Sequence, residues 1–85
     1  MFYVYVLRSA LDGNFYIGQT ADLRKRFAQH NTGRVESSKK RVPFELVYYE
    51  ACRNLSDAIQ RKKYLKTTYG HRYLKSRLKN DLSWK

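Results

Sequence analysis

Two short stretches rich in β-branched and aromatic residues open the chain, with an Asp-Gly turn signal between them. They cover residues 2–8 and 14–19, and Asp12-Gly13 precedes the second stretch. Valine, isoleucine and tyrosine favour extended backbone, and Asp-Gly is a common hairpin turn. The sequence therefore predicts an N-terminal β-hairpin, against which every later element has to pack.

The register of this hairpin decides which side chains share a face. A turn of even length pairs odd-numbered residues of the first strand with even-numbered residues of the second, and paired residues share a face. Tyr3, Tyr5 and Tyr16 are therefore expected on one face. A loop centred between residues 10 and 11 puts Tyr5 directly opposite Tyr16, whereas a tight turn at residues 12 and 13 offsets them. The phenols are either core aromatics or part of a site.

A helix is expected directly after the hairpin. Thr20 or Asp22 can cap its N-terminus, since both side chains accept hydrogen bonds from backbone N–H groups. Leu23 and Phe27 lie four apart on its apolar face, and the Asn-Thr-Gly of residues 31–33 supplies the stop.

The rest of the chain completes one small domain. Residues 44–50, which follow the only proline, give the strongest strand pattern and add a third strand. Ser56 and Asp57 open a second helix, Gly70 breaks its pattern, and a last helix covers residues 71–82. With 85 residues, one core and a single domain over residues 1–85 are expected. The predicted class is α+β, in the order β-β-α-β-α-α, with helices on an antiparallel or mixed sheet.

Lys62 stands near the middle of the predicted inward face of the second helix. Such a position normally holds an apolar side chain, or a polar one with a functional role. The inward stripe at helical spacing comprises Leu55, Ala58, Ile59, Lys62, Leu65 and Lys66.

The charge of the chain favours a polyanionic partner. Eighteen Lys and Arg stand against seven Asp and Glu, which gives a formal net charge of +11. Basic proteins bind polyanions by releasing counterions, and nucleic acid is the commonest polyanion in the cytosol. A membrane surface is disfavoured because the basic residues are interleaved with tyrosines instead of being gathered on one amphipathic helix. A solvated basic surface without a specific partner is the remaining alternative.

No secretion signal or membrane span is visible in the sequence. The N-terminal residues carry no basic region followed by a long apolar run. Cys52 is the only cysteine, so the chain has no internal disulfide and suits a reducing compartment. We expect a cytoplasmic protein without a membrane partner.

Several segments, taken in order, resemble the GIY-YIG nucleases. Tyr3-Val4-Tyr5 followed by Tyr16-Ile17-Gly18 is similar to the paired signature that names this family. A first residue other than glycine is common in its small bacterial members, which are described as endonuclease-like or excinuclease-subunit-like. The likeness covers nearly the whole chain and continues through residues 22–31, 43–50 and 61–66.

The resemblance implies a DNA endonuclease that hydrolyses phosphodiesters with one divalent metal, Mg²⁺ or Mn²⁺. By this likeness Tyr5 assists the attacking water, and Tyr16 hydrogen-bonds near the scissile phosphate. Arg26 neutralises charge that grows on the phosphate oxygens. His30, four residues after Arg26, contacts phosphate or transfers a proton; a plain surface histidine is the alternative.

Position 62 departs from the family pattern. Relatives carry a metal-binding glutamate where this chain has Lys62 between Arg61 and Lys63. An ammonium cannot supply the oxygen ligand that Mg²⁺ requires. Of the seven carboxylates, Glu50 is the only plausible stand-in. Lys62 is explained by an engineered inactivating change, by a natural loss of catalysis, or by metal-independent binding of phosphate.

Two functions are therefore compatible with the sequence. The first is an endonuclease for single-stranded or branched DNA, represented here by a form that lacks its metal ligand. The second is a module that binds DNA or RNA through the same basic, tyrosine-lined surface without cutting it. Besides the catalytic candidates, the residues expected to contact nucleic acid are Arg24, Lys25, Ser38, Lys39 and Lys66.

Overall fold

The computed structural model describes residues 1–82, which form a three-stranded antiparallel sheet with helices packed on both faces. This confirms the predicted α+β class and element order. No helix within the described residues is long and apolar enough to cross a membrane. The strands are β1 (Phe2–Ser9), β2 (Phe15–Thr20) and β3 (Phe44–Cys52), and the helices are α1 (Leu23–Asn31), α2 (Leu55–Leu65), α3 (Thr68–Arg77) and α4 (Lys79–Leu82).

The sheet has the strand order β2-β1-β3, so β1 is central and β2 is an edge strand. Tyr5 pairs with Gly18, and Tyr16 pairs with Leu7. The predicted shared face of Tyr5 and Tyr16 is confirmed, but the register falls between the two alternatives that the sequence left open. The reason is Ser9, whose hydroxyl accepts hydrogen bonds from the backbone N–H groups of residues 11 and 12 and so shapes a wider loop.

Each face of the sheet carries its own apolar cluster. On one face, side chains of β1 and β2 pack against α2 and α3. On the other face, Tyr5, Leu7 and Phe44 pack against Leu23 and Phe27 of α1. The first cluster comprises Val4, Val6, Ile17, Ala58, Leu65 and Leu74.

Helix boundaries differ from the sequence prediction at three points. The predicted last helix over residues 71–82 is divided into α3 and α4, with Leu78 between them. Asn54 caps α2 by accepting from the N–H groups of Ser56 and Asp57, which were expected to open the helix themselves. Gly70 does not break the chain; it lies buried inside α3. The break falls before it, at Thr67, whose hydroxyl accepts from the Gly70 N–H and so starts α3.

The inward stripe of α2 is narrower than predicted. Ala58 and Leu65 are fully buried, but Leu55 and Lys66 are exposed. Lys62 is half-buried and lies between Ala58 and Leu65 at helical spacing. It therefore belongs to the side of α2 that faces the sheet, as the pattern indicated.

Candidate functional site

A chain of hydrogen bonds joins Tyr5, His30 and Ser38 inside the protein. The Tyr5 hydroxyl lies 2.8 Å from Nε2 of His30, and Nδ1 of His30 lies 2.6 Å from the Ser38 hydroxyl. His30 is 0% exposed and Tyr5 is 2% exposed. The alternative of a surface histidine is therefore wrong. Because α1 packs on the same sheet face as Tyr5, its last turn brings the imidazole against the phenol.

Gly18 makes room for the Tyr5 ring. A side chain at this position would overlap the Tyr5 phenol, which lies directly across Gly18 on the neighbouring strand. Tyr16 stands on the same face, with its ring centroid 4.8 Å from that of His30. Its hydroxyl lies 2.8 Å from the Ser37 hydroxyl. Ser37 and Ser38 of the central loop thus form hydrogen bonds with the Tyr16 hydroxyl and with Nδ1 of His30, respectively.

Burial and the charge of Arg26 together determine the protonation states of Tyr5 and His30. Burial raises the pKa of the Tyr5 phenol, and the Arg26 guanidinium opposes that shift. Burial also lowers the pKa of His30 to about 4, with a further contribution from the Arg26 charge. Both groups are consequently neutral near pH 7. A neutral imidazole has one donor and one acceptor nitrogen, so it can accept the phenolic proton while it donates to Ser38.

A cavity of about 360 Å³ opens beside Arg26 at the edge strand β2. Its carboxylate is Asp22, which accepts the Lys25 backbone N–H and caps α1. Tyr5 and Tyr16 do not line it. Arg24 lies in a neighbouring cavity together with Tyr3 and Tyr49. The residues lining the cavity beside Arg26 are Gln19, Thr20, Ala21, Asp22, Lys25, Arg26 and Gln29.

Lys62 and the tyrosine pair belong to opposite faces of the sheet. Lys62 is carried by α2, which packs on the Val4 face, whereas Tyr5 points to the α1 face. The face of Val4 meets the Arg26 cavity at Gln19, since Gln19 pairs with Val4 on the edge strand. Within residues 1–82 the Lys62 ammonium forms no ion pair.

Glu50 does not replace the missing ligand. Its two oxygens accept from the Arg61 guanidinium, each at 2.9 Å, and the Tyr48 hydroxyl donates to it at 2.8 Å. Burial opposes ionisation of Glu50, but Arg61 and Tyr48 together hold its pKa below the usual value. Glu50 pairs with Val4, so it lies on the same face of the sheet as α2 and Lys62, and its use by Arg61 and Tyr48 is what argues against a role as metal ligand.

The described residues do not fit a metal ion. No group of three His, Cys, Asp or Glu side chains comes together anywhere in residues 1–82. Every buried side-chain nitrogen and oxygen in that part of the chain already has a hydrogen-bond partner. Mg²⁺ in such sites keeps several waters and is held by one or two carboxylates together with substrate phosphates. Position 62, where the sequence resemblance predicts that carboxylate, holds a lysine.

The basic residues expected to contact nucleic acid have different surroundings. Lys25 and Lys66 are exposed, as is Arg24. Lys39 pairs with Glu36 at 3.0 Å in an exposed i,i+3 ion pair. The prediction that Ser38 contacts nucleic acid does not agree with the structure. Ser38 is 1% exposed and hydrogen-bonded to His30, so its hydroxyl cannot reach a phosphate in this conformation.

Sequence reasoning missed the structural roles of Ser37 and Ser38 as partners of Tyr16 and His30. Their separation along the chain, 21 residues from Tyr16 and eight from His30, gives no periodic signal. Only the two adjacent serines in a basic loop marked the segment at all.

Similar proteins agree with this architecture. A UPF0213 protein of Bacillus pumilus is 41% identical over 66 residues, which cover 76% of this chain and 66% of that protein. A UPF0213 protein of Lacticaseibacillus paracasei is 38% identical over 72 residues, covering 84% of this chain and 80% of that protein. The solution NMR structure of a UPF0213 protein of Bacillus halodurans superposes with a TM-score of 0.56 at 30% identity, covering 89% of this chain and 84% of that chain.

The match to the Bacillus pumilus relative spans slightly less than two thirds of that protein's own length. The family model described as the GIY-YIG catalytic domain matches residues 1–77. This range includes the site residues Tyr5, Tyr16, Arg26, His30 and Lys62. That span contains the whole sheet together with α1, α2 and α3. The chain therefore belongs to the GIY-YIG family.

Proposed function

We propose that this protein is a nuclease-fold domain that holds a phosphodiester of single-stranded or branched DNA at the edge of β2. The observation that carries the proposal is the buried hydrogen bond between Tyr5 and His30, with the Arg26 charge acting on both groups. A buried tyrosine and a neutral histidine in contact with an arginine are groups suited to proton transfer next to an anion.

The tyrosine and histidine supply the general-base part of hydrolysis. The Tyr5 hydroxyl is buried in this conformation, so the step requires it to become open to the Arg26 cavity. When a water then attacks phosphorus, the P–O bond to the leaving oxygen breaks, and the leaving oxygen takes up a proton from solvent. The proton of the attacking water passes to the Tyr5 oxygen, and the phenolic proton passes to Nε2 of His30. The Nδ1–H of His30 continues to donate its hydrogen bond to the Ser38 hydroxyl, and this bond fixes the ring tautomer. The imidazole remains neutral beforehand because burial lowers its pKa to about 4.

Arg26 and Lys25 supply the phosphate-binding charge. Both line the cavity at the β2 edge, where Arg26 is half-buried and its guanidinium is oriented by a 3.3 Å hydrogen bond to Gln29. A guanidinium presents two parallel N–H groups to phosphate oxygens, which adds direction to the charge.

Lys62 favours a second candidate function, namely binding DNA or RNA without metal-dependent cleavage. The described residues offer no metal site, and an unpaired ammonium on the sheet-facing side of α2 adds a positive charge where relatives place a glutamate. In this alternative the chain uses the same basic surface but lacks the metal part of the reaction.

Restoring a carboxylate at position 62 tests both candidates. We expect Lys62→Glu to cleave single-stranded or branched DNA with Mg²⁺ or Mn²⁺ at least about 100-fold faster than the parent, because metal catalysis contributes several kcal/mol. Without metal, its affinity for DNA should fall because an attractive charge has become repulsive. Gel assays with metal and with chelator measure both effects. Lys63→Glu, which makes the same charge change at an exposed neighbouring position, should not gain activity.

A second substitution checks the role of Tyr5 in the active background. Added to Lys62→Glu, Tyr5→Phe should lower the cleavage rate by roughly 100-fold, as loss of a general base does, while DNA affinity changes little. An unchanged rate would show that another residue activates the water. If the parent already cuts as fast as Lys62→Glu, position 62 is not the ligand position; if no variant cuts any substrate, the binding function replaces the enzyme.

A further inference from the structure

A third cavity lies at the turn end of the hairpin, away from Tyr5 and His30. It has a volume of about 520 Å³ and separates the hairpin from the C-terminal helices. Arg8 and Phe15 form one wall, and His71, Lys75 and Leu82 belong to the other. The Phe15 side chain packs on the α2 and α3 face of the sheet, whereas its neighbour Tyr16 packs on the α1 face. The cavity is therefore distinct from the site described above.

The lining of this cavity combines flat rings with positive charge. The Phe15 and His71 rings lie 6.0 Å apart, with their planes inclined by 58°. His71, Lys75 and Lys79 follow at intervals of four along the C-terminal helices, so they line one side. Among the residues that the structure describes, no carboxylate lines the cavity. Within residues 1–82, neither Lys75 nor Lys79 takes part in an ion pair.

This combination selects a ligand with both a planar apolar ring and a negative charge. A nucleotide within a single strand has this chemistry, since its base can stack on aromatic rings while lysines hold the phosphates on either side. An uncharged lipid or an apolar peptide would use the apolar floor of the cavity but not its lysines. Duplex DNA would use the cations, but its paired bases cannot enter a cavity.

We propose that this cavity binds one unpaired base of a single-stranded nucleic acid, with Lys75 and Lys79 on the adjacent phosphates. The proposal rests on the proposed function in that the ligand is the same DNA strand. Phe15 and Tyr16 are consecutive residues of the edge strand β2. A single strand that runs along this edge contacts the cavity at Phe15, at the start of β2, and the Arg26 cavity at Gln19, near its end. The cavity would thereby select single-stranded or branched DNA over continuous duplex.

The test compares two short fluorescent oligonucleotides, one of thymidines and one with the same number of abasic sites. Both carry the same phosphates, so a difference in affinity reports on the bases alone. Fluorescence anisotropy at constant ionic strength should show roughly 10-fold or tighter binding of the thymidine oligomer, in the range expected for aromatic stacking. Phe15→Leu keeps the apolar packing but removes the ring, so this preference should fall to about 2-fold or less.

Exposed tyrosines elsewhere on the surface can also stack on bases, so the variants decide where the preference arises. His71→Leu removes the other ring of the cavity at a half-buried position, and it replaces Phe15→Leu in the test if that variant does not fold. If either folded variant keeps the full preference for thymidine, the cavity does not hold the base and the proposal is overturned.

The lysines are tested by their effect on the salt dependence. Lys75→Ala combined with Lys79→Ala should weaken both oligomers equally and reduce the slope of log affinity against log salt by about 1.4, which corresponds to two phosphate contacts on a single strand. Arg53→Ala combined with Lys63→Ala removes the same charge from exposed positions outside the cavity and should change the slope less. Equal effects of the two double variants would contradict a specific role for the cavity lysines.

One further variant separates this proposal from the proposed function. Arg26→Ala should weaken both oligomers by roughly 5- to 100-fold, the effect of losing a charge-assisted contact, and leave the preference for thymidine intact. If the parent shows no preference for bases while Arg26→Ala still weakens binding, the cavity proposal fails alone. If the parent binds neither oligomer, the proposed function fails with it.

Discussion

His30 connects three parts of the chain through its two ring nitrogens. It is carried by α1, bonds to Tyr5 on the central strand and bonds to Ser38 in the loop that leads to β3. Its ring also contacts Phe44 at the start of β3, with centroids 5.9 Å apart. A charged imidazole could not keep the acceptor nitrogen that this arrangement provides for the phenolic proton. The residue is therefore tied to its neutral form by its position in the fold.

This neutral histidine makes stability depend on pH. The pKa of His30 is lowered from 6.5 to about 4 in the folded protein. As the pH falls from about 6.5 to 4, the unfolded chain takes up a proton that the folded chain does not, so the free energy of unfolding decreases. We expect a loss of about 3 kcal/mol from this residue, and no further loss from it below pH 4.

Urea unfolding between pH 7 and pH 4 measures this loss, with His30→Gln as the comparison. The variant should be less stable than the parent at pH 7 but should lack the part of the decrease that comes from His30. The carboxyl groups with lowered pKa values, Asp12 and Glu50, begin to lose their stabilising effect below about pH 5, but both proteins contain them, so their contribution cancels in the comparison. Identical pH profiles for parent and variant would show that His30 is not held neutral.

At the level of the elements, the approach of α3 to α2 determines how the first apolar cluster closes. Gly70 lies within α3, and a side chain there would overlap the backbone of Tyr64 and Leu65 at the end of α2. Leu65 of α2 and Leu74 of α3 are both fully buried in this cluster. The glycine is therefore required by the close contact of two helices and not by a turn.

Replacing Gly70 by alanine should lower the stability of the protein, whereas Gly→Ala within a helix usually raises it. In an open helix, Gly→Ala stabilises by about 1 kcal/mol because alanine has the higher helix propensity. Here the added methyl group has to displace backbone, so we expect Gly70→Ala to destabilise by about 1 to 3 kcal/mol. Thermal or urea unfolding measures the change, with Ser76→Ala on the exposed side of α3 as a control that should stay within about 0.5 kcal/mol. A stabilised Gly70→Ala would contradict the tight helix contact.

At the scale of the whole molecule, charge and shape act together. The net charge of +11 is carried by a body whose extents are 34 × 30 × 18 Å. The described residues contain three ion pairs, which leave most Lys and Arg side chains uncompensated. Such a field draws polyanions to the surface before any specific contact forms.

Binding to DNA should consequently depend strongly on salt. For four to six phosphate contacts on single-stranded or branched DNA we expect log affinity to fall against log salt with a slope of about −3 to −5. Anisotropy titrations over a series of salt concentrations give this slope directly. An affinity that is undetectable at low salt, or that does not respond to salt, would remove nucleic acid as the partner.

The sequence by itself determined the class of fold, the order of elements and the shared face of Tyr5 and Tyr16. These features follow from local patterns. Side chains alternate between the two faces of a strand, so any hairpin loop with an even number of residues puts the same side chains on a common face, whatever the loop length. The stripe of α2 likewise indicated that Lys62 faces the sheet. Residue spacing also predicted that Arg26 and His30 project together, but not how far they are buried.

Only the tertiary structure decided the register, the helix break and the partners of the site. Ser9 bonds shape the hairpin loop, and the contact of α3 with α2 keeps Gly70 inside a helix. In the Ser38–His30–Tyr5 chain a single hydrogen bond links residues 25 positions apart, and the ion pair with Arg61 removes Glu50 as a metal ligand. Such contacts depend on how elements pack in space, and packing between distant segments leaves no periodic trace in the sequence.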